Sequence, residues 1–257
     1  MVAEHPVIYI VGAGITTPAH LSLESLAALE SCQEIWTNIP ETLYINLPGS
    51  LPSTIRSLKP FFIDNRLRIE NYKAIIDHIL ARAEHVCPVG YLTQGNPIVF
   101  DTVTAGLIHE GRSSSMDVKI YPAISSIDTL LIDVLYDPAK GLQIHEATAF
   151  VRDLIVIDAR AALLLLQPSV FGSRMPRLTT KTAAPDLLPL EIALRRFYPP
   201  DHLVKFVRSA TGTMSSQIVE SDIEHLSLLD SEATLASTLF VPPVPRESPL
   251  GSHKLSN

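Results

Sequence analysis

The chain has 257 residues, of which 46% are hydrophobic and 18% are charged, and its formal net charge is −7. This length and composition indicate a globular protein with one large or two medium domains. The acidic balance argues against a nucleic-acid-binding protein, which usually carries a basic stripe, and leaves no polybasic membrane anchor.

Strands and helices alternate in the N-terminal half of the sequence. A β-branched run predicts a buried strand over 7–11, a turn follows over 12–17, and apolar spacing predicts a helix over 21–30. A second strand over 34–38 makes the opening a β-turn-α-β unit. The later predictions are a proline-rich loop region over 40–60, a helix over 69–84, a strand and turn over 88–100, a helix over 102–109, a strand over 118–121 and a helix over 127–135.

The composition shifts over 136–141, which indicates a nearby domain boundary. Beyond it the sequence predicts strands over 154–157, 162–166, 203–207, 216–220 and 238–241, with a helix over 187–198. We therefore predict an α/β fold of two α/β domains with parallel and mixed sheets, one over 1–120 and one over 121–241. A flexible tail rich in proline and serine is predicted over 242–257.

The stretch 88–100 carries the first functional signal. A strand that ends in Gly95, Asn96 and Pro97 exposes backbone at the carboxyl edge of a sheet, where small ligands bind in open α/β folds. The Gly12 to Gly14 turn after the first strand is a weaker signal, because it lacks the third glycine of a GxGxxG motif and also fits a simple tight turn. Since the sequence has no GxxxxGK[ST] loop, a ligand here need not carry phosphate.

Two further pairs of residues are open to two interpretations. Ser125 and Ser126 follow a predicted strand, and they fit either ligand binding or an N-cap with Asp128 in the first helical turn. Arg68 and Tyr72 are four residues apart and share a helix face. From spacing alone, a solvated face with one amphipathic tyrosine is the favoured interpretation of that second pair.

No metal site and no membrane segment are predicted. His145-Glu146 begins like a zincin motif, but Ala149 stands where the second histidine is required. Cys32 and Cys87 form no pair at metal-binding spacing, which favours a reducing compartment. Because the N-terminus lacks a basic signal region and the apolar runs are short, we expect a cytoplasmic protein with no membrane or nucleic-acid partner.

Four segments carry a family resemblance: 8–14 with 21–23, 91–100, 121–126 and 197–204. They resemble the opening glycine turn, the strand-GDP turn, the PGISS segment and the second-domain strand entry of the class III S-adenosylmethionine-dependent methyltransferases, the tetrapyrrole methylases. Asn96 stands where that family commonly has aspartate, and Ala123 stands where it has glycine. The resemblance implies a cofactor cleft between two α/β domains, S-adenosylmethionine as the cofactor and a homodimer.

One branch of the family is more similar. The segments 135–138 and 145–153, and Asp64-Asn65 with Arg68 and Tyr72, are similar to the borosin peptide backbone α-N-methyltransferases. Borosin enzymes place further tyrosines ahead of the arginine, where this chain has Lys59, Phe61 and Phe62. The tail does not look like the apolar core peptide that fused borosins carry, so the acceptor is expected either to be supplied in trans or not to be a borosin-type peptide.

The resemblance also implies site residues. Tyr72 is the expected base for an amide acceptor, and Arg68 would lower its pKa or bind the developing oxyanion. The expected cofactor-binding residues are Gly12, Gly14, Tyr91, Thr93, Gln94, Asn96, Ile98, Val99, Ser125, Ser126 and Gln167. Methylation of a tetrapyrrole or another small acceptor is an alternative function, and a catalytically silent subunit that binds cofactor or peptide is another.

Overall fold

The computed structural model describes residues 5–44, 47, 51, 55–63, 66–174, 185–211, 214–229 and 236–245. The chain forms two compact units. Unit 1 comprises Met1–Val134, Ser173–Leu178 and Ser209–Ser216, and unit 2 comprises Leu135–Gly172, Thr179–Arg208 and Gln217–Asn257. Asp64, Asn65 and the tail from residue 246 onward lie outside the described residues. Within the described part of the chain, no helix combines the length and apolar character that a bilayer crossing needs.

Unit 1 contains a five-stranded parallel sheet with the strand order β3-β2-β4-β1-β5. Its strands are β1 (Val7–Gly12), β2 (Glu34–Thr37), β3 (Ile55–Ser57), β4 (Val89–Thr93) and β5 (Asp117–Tyr121). Its helices are α1 (Leu23–Ser31), α2 (Glu41–Tyr44), α3 (Arg68–Ala83), α4 (Thr102–Ser113) and α5 (Ser126–Asp133). The predicted α/β alternation is confirmed here, and the proline-rich region contributes the edge strand β3.

Both faces of this sheet are covered by apolar side chains. Ile8 and Ile10 of β1 pack in a cluster that includes residues of α3 and α4. Val11 faces the other way, into a cluster with Leu29 of α1. The helix that follows β1 and the helix that follows β4 therefore lie on opposite faces of the sheet. Since β1 and β4 are neighbours, the point between their carboxyl ends is a topological switch point, where open α/β sheets bind ligands.

Unit 2 contains a mixed sheet with the strand order β6-β7-β10-β8-β9. Its elements are β6 (Leu142–Glu146), α6 (Ala147–Arg152), β7 (Ala162–Leu166), α7 (Leu188–Leu194), β8 (Leu203–Arg208), β9 (Gln217–Asp222) and β10 (Thr238–Val241). Only β6 and β7 are parallel; the remaining neighbours are antiparallel. The core combines β7 residues such as Leu163 and Leu165 with Phe150 of α6 and Leu190 of α7.

The prediction of a strand over 154–157 is wrong. After α6 ends at Arg152, the amide of Ile155 donates back to the carbonyl of Phe150 instead of to a neighbouring strand. Leu154 has a positive φ of 50°. The parallel neighbour of β7 is β6, a half-buried edge strand. Its polar residues Gln143, His145 and Glu146 hide it from a search for apolar runs.

Gly12 is the point where three turns of unit 1 meet. A Cβ at this position would lie 2.6 Å from the carbonyl oxygen of Gly95, 2.7 Å from Cβ of Ala123 and 2.8 Å from Cδ of Pro97. Real Cβ atoms do not come this close to backbone atoms. The end of β1 is therefore packed directly against the turns that follow β4 and β5, as a closely packed interior requires.

Replacing Gly12 with alanine is expected to destabilise the protein by about 1–3 kcal/mol, because overpacking forces the three turns apart. Urea unfolding monitored by circular dichroism measures this loss. Gly172→Ala is the control, because nothing lies within 4 Å of the added Cβ and only the positive φ of 69° opposes it. A Gly12→Ala loss no larger than the Gly172→Ala loss would contradict the packing argument.

Candidate functional site

Backbone hydrogen bonds join the turns after β1 and β4 at the switch point. The amide of Ala13 donates to the Thr93 carbonyl at 2.8 Å. Gly14 and Gly95 exchange two hydrogen bonds, of 3.3 and 3.0 Å, in an antiparallel bridge. Two sequence-predicted segments, the Gly12–Gly14 turn and the turn after β4, are thus brought together. The turn before α5 joins them through the contact between Gly12 and Ala123.

The turn after β4 presents polar and apolar side chains side by side. Gln94 is exposed, and Ile98 is 63% exposed. Asn96 shapes the turn, because its Oδ1 accepts a hydrogen bond from the Ile98 amide at 3.1 Å and its carbonyl accepts one from the Val99 amide at 3.0 Å. Asparagine and aspartate both supply such an acceptor oxygen. The departure from the family's aspartate therefore leaves the turn intact.

Ser125 is a helix cap. Its Oγ accepts hydrogen bonds from the amides of Ile127 and Asp128 and donates one to the Asp128 carboxylate at 2.7 Å. The Ser125 amide donates to the same carboxylate at 2.6 Å, which completes a capping box. The capping interpretation of this serine is confirmed. Ser126 is half-buried in the first turn of α5. The cofactor-binding role of Ser125 and Ser126 stays a prediction.

Tyr91 points into the core instead of into solvent. Its side chain is fully buried, and its hydroxyl donates to Asp101 at 3.1 Å. Asp101 also caps α4, since its Oδ1 accepts from the amides of Val103 and Thr104. Burial, followed by the charge of Asp101, holds the pKa of Tyr91 well above its usual value, although a hydrogen bond with Thr93 opposes this. Tyr91 is thus a neutral hydrogen-bond donor at neutral pH.

Arg68 and Tyr72 lie one turn apart at the start of α3. The Arg68 amide donates to the Arg174 carbonyl at 3.0 Å, and its Nη2 donates to the Ser173 carbonyl at 2.8 Å. The ring of Phe62 meets the half-buried Tyr72 ring edge-on at 6.3 Å. Because α3 runs back toward the start of β4, its first turn lies at the carboxyl edge of the sheet. The pair therefore lies at the same edge as the two bonded turns.

The electrostatics of Tyr72 combine opposing influences. Burial raises the pKa of its phenol above the ordinary value, Arg68 lowers it, and Asp101 raises it again. The pKa of Tyr72 is raised overall. Arg68 does lower it, as the sequence hypothesis expected, but burial and Asp101 together raise it by more. A proton leaves Tyr72 less readily than it leaves a free phenol.

Gln167 belongs to unit 2. It directly follows β7, where it adopts left-handed backbone angles of φ 58° and ψ 39°. A non-glycine residue in this region is strained by roughly 1–3 kcal/mol, and such residues cluster at functional sites. Gln167 and Glu146 both lie at the carboxyl ends of the parallel pair β7 and β6. Its cofactor role remains a prediction.

The sequence model of the family described as "Tetrapyrrole (Corrin/Porphyrin) Methylases" matches residues 7–227. The chain belongs to the tetrapyrrole methylase family. The resemblance stated from the glycine turn, the turn after β4 and the segment 121–126 is thereby confirmed. Solved structures agree with the fold of this family member. A uroporphyrin-III-C-methyltransferase from Thermus thermophilus superimposes with a TM-score of 0.66 at 18% identity, covering 92% of each chain.

Curated relatives of this family member are named as methyltransferase/borosin precursors. One from Phlebiopsis gigantea, named a methyltransferase/ribosomally synthesized type II borosin cyclic peptide precursor, is 23% identical over 91% of this chain. A type I borosin precursor of the same kind from Coprinopsis marcescibilis is 25% identical over 91% of this chain. The chain spans 42% and 61% of the length of these two relatives.

Two residues of this site were missed by the sequence reasoning. Asp101 stands just before a predicted helix, and that position is the usual one for an acidic N-cap, so its capping role could have been found. Its hydrogen bond to Tyr91 depends on how α4 packs against β4, and no local sequence pattern shows that packing. His20 is the second, and its ring accepts two backbone hydrogen bonds in the turn after β1.

Ser125→Ala is expected to destabilise the protein by about 0.5–2 kcal/mol, because it removes the acceptor for two amides of the first turn of α5. Ser126→Ala is the matched control, one residue along the same turn, and is expected to change stability by less than about 0.5 kcal/mol. Denaturant unfolding of both variants gives the comparison. Equal losses in the two variants would contradict the assignment of Ser125 as the cap.

Proposed function

We propose that the protein is an S-adenosylmethionine-dependent methyltransferase that acts on backbone amides of a peptide. The observation that carries the proposal is the pair of turns bonded at Gly14 and Gly95, at the switch point of a parallel sheet, in a chain with methyltransferase-named relatives. A neighbouring fold supports the cofactor: a Thermus thermophilus methyltransferase described as complexed with S-adenyl homocysteine superimposes with a TM-score of 0.59.

The side chains at the switch point suit this cofactor. Exposed Gln94 offers amide hydrogen bonds for an amino-acid or ribose group, while exposed Ile98 and half-buried Val99 offer an apolar surface for the rest. When bound, the cofactor supplies a methyl group on a sulfonium that is already activated. The chain then has to hold the acceptor nitrogen in line, exclude water and manage charge.

The carboxyl edge of the unit 1 sheet favours an apolar acceptor. Large hydrophobic side chains are exposed in the turns and first helical turns there, namely those of Leu67, Ile69, Ile98, Phe100 and Ile124. Exposed hydrophobic residues grouped at one end of a fold mark binding sites for apolar partners. A polycarboxylate such as a tetrapyrrole is recognised best by several cations, whereas an apolar peptide fits this edge. The curated relatives are named as precursors of cyclic peptides.

A neutral amide nitrogen is a poor nucleophile, so the acceptor needs to lose its proton or have its carbonyl oxygen stabilised as charge develops. Tyr72 is the proposed base, and the guanidinium of Arg68 is the proposed partner of the oxyanion. The raised pKa of Tyr72 makes its phenolate a strong base once formed. The same shift makes that phenolate scarce at neutral pH, which implies slow turnover.

The proposal includes a separate acceptor chain and a cytoplasmic homodimer. Among the residues after β10 that the structure describes, Pro242, Pro243 and Pro245 have no amide hydrogen for a methyl group to replace, so these three positions are not acceptors. The homodimer follows from the family resemblance.

Calorimetry with S-adenosylmethionine, followed by mass spectrometry of synthetic apolar peptides incubated with enzyme and cofactor, tests the function. The expected result is cofactor binding and a gain of about 14 Da per methyl group on backbone nitrogens, since one hydrogen is replaced by CH₃. Methylation of uroporphyrinogen and not of any peptide would assign the alternative acceptor. Cofactor binding without methylation of either would indicate a silent subunit.

Tyr72→Phe is expected to reduce methylation by at least about 100-fold, the usual contribution of a general base. Cofactor binding measured by calorimetry should stay within about twofold of wild type, because the phenol acts on the acceptor. Phe62→Leu is the packing control, since Phe62 contacts the Tyr72 ring without a hydroxyl. Full methylation by Tyr72→Phe would remove Tyr72 from the mechanism.

The pH profile tests the coupling of Arg68 to Tyr72. If the phenolate is the base, kcat rises by about tenfold per pH unit until the raised pKa of Tyr72 is reached. Arg68→Ala removes an influence that lowers this pKa, so the rising limb should move to higher pH. Arg68→Lys retains the charge and should leave the limb near its wild-type position. A limb that stays in place in Arg68→Ala would contradict the coupling.

A further inference from the structure

His20 is held inside the turn that follows β1. Its Nδ1 accepts a hydrogen bond from the Ile15 amide at 3.2 Å and another from the Thr16 amide at 3.1 Å. The His20 amide in turn donates to the Thr16 carbonyl at 2.9 Å. A ring nitrogen that accepts from two N–H groups carries no proton of its own, so Nδ1 is the acceptor and the ring proton lies on Nε2.

The turn closes tightly around this ring. Gly14 has a φ of 70°, and a Cβ there would lie 2.1 Å from Cβ of His20. Only glycine fits a left-handed position with so little space. Gly14 and His20 therefore fix one another, and the two amides between them have the imidazole nitrogen as their acceptor.

The same turn carries one side of the switch point. Gly14 exchanges its two backbone hydrogen bonds with Gly95, and the Ile15 side chain is buried with its Cδ1 3.5 Å from the position of a Cβ on Gly95. A shift of the Ile15 and Thr16 amides would thus be passed to the turn after β4. That turn holds Gln94 and Ile98, the proposed cofactor contacts.

We propose that His20 is a positioning residue for the cofactor site, which holds the β1 and β4 turns in their bonded arrangement through the lone pair of Nδ1. This inference rests on the proposed function, because the site that it positions is the proposed S-adenosylmethionine site. His20 would act through the backbone of this turn. Removing the acceptor leaves two amides of the turn without a partner, and the turn relaxes away from Gly95.

The first experiment is made on the wild-type protein without ligand. Nitrogen-15 NMR of the histidine rings at pH 8 is expected to show His20 as the Nε2–H tautomer. Hydrogen exchange at the Ile15 and Thr16 amides is expected to be at least tenfold faster in His20→Ala and to return toward wild type in His20→Asn, whose Oδ1 restores an acceptor. An Nδ1–H tautomer, or equal exchange in all three proteins, would overturn the inference whether or not the protein binds S-adenosylmethionine.

The second experiment measures S-adenosylmethionine binding by calorimetry. We expect Kd to rise at least tenfold in His20→Ala and to stay within about threefold of wild type in His20→Asn. His109→Ala, which removes an exposed ring from α4, is the control and should match wild type. Loss of affinity in His20→Asn equal to that in His20→Ala would assign the effect to ring packing and overturn the acceptor role. Failure of the wild-type protein to bind would instead contradict the proposed function.

Discussion

The arrangement of unit 1 depends on the absence of a single carbon atom at Gly12. Gly12 ends β1, and the turns that follow β4 and β5 approach it so closely that a methyl group would overlap both of them. Their approach puts the carboxyl ends of the neighbouring strands β4, β1 and β5 in contact and lets Gly14 and Gly95 pair through their backbones. The glycine motif thus serves the packing of the protein itself before it serves any ligand. The proposed cofactor surface is the outer side of that packed junction.

A second constraint is the carboxylate of Asp101, which serves both a helix cap and a tertiary hydrogen bond. One of its oxygens caps α4, and the other accepts from the buried hydroxyl of Tyr91. Its charge also raises the pKa of Tyr72. A carboxylate needed to start a helix therefore adds to the basicity of the proposed catalytic phenolate, and Arg68 acts against it.

The sequence predicted the strands and helices of unit 1 well, because parallel strands buried on both faces are continuous apolar runs. It also brought together Gly12, the turn after β4 and Ser125, since carboxyl ends of parallel strands share one edge. It did not predict β6, whose half-buried face breaks the apolar pattern, or the burial of Tyr91, which depends on the facing of β4 toward α3 and α4. The hydrogen-bond partners of Ser125 and His20 are close to them in sequence. The sequence alone, however, does not show which side-chain atom accepts from which amide.

The hydrogen bonds from Arg68 to Ser173 and Arg174 show that the chain returns to unit 1 long after it has left it. Unit 1 is consequently a spatial unit and not a contiguous length of chain. A fragment that stops at the end of α5 would keep all five parallel strands and would still lack the two carbonyl groups that hold Arg68. The proposed chemistry at the start of α3 therefore depends on residues that follow the first segment of unit 2. Cutting the chain between Val134 and Leu135, where unit 1 first gives way to unit 2, would remove both carbonyl partners of Arg68.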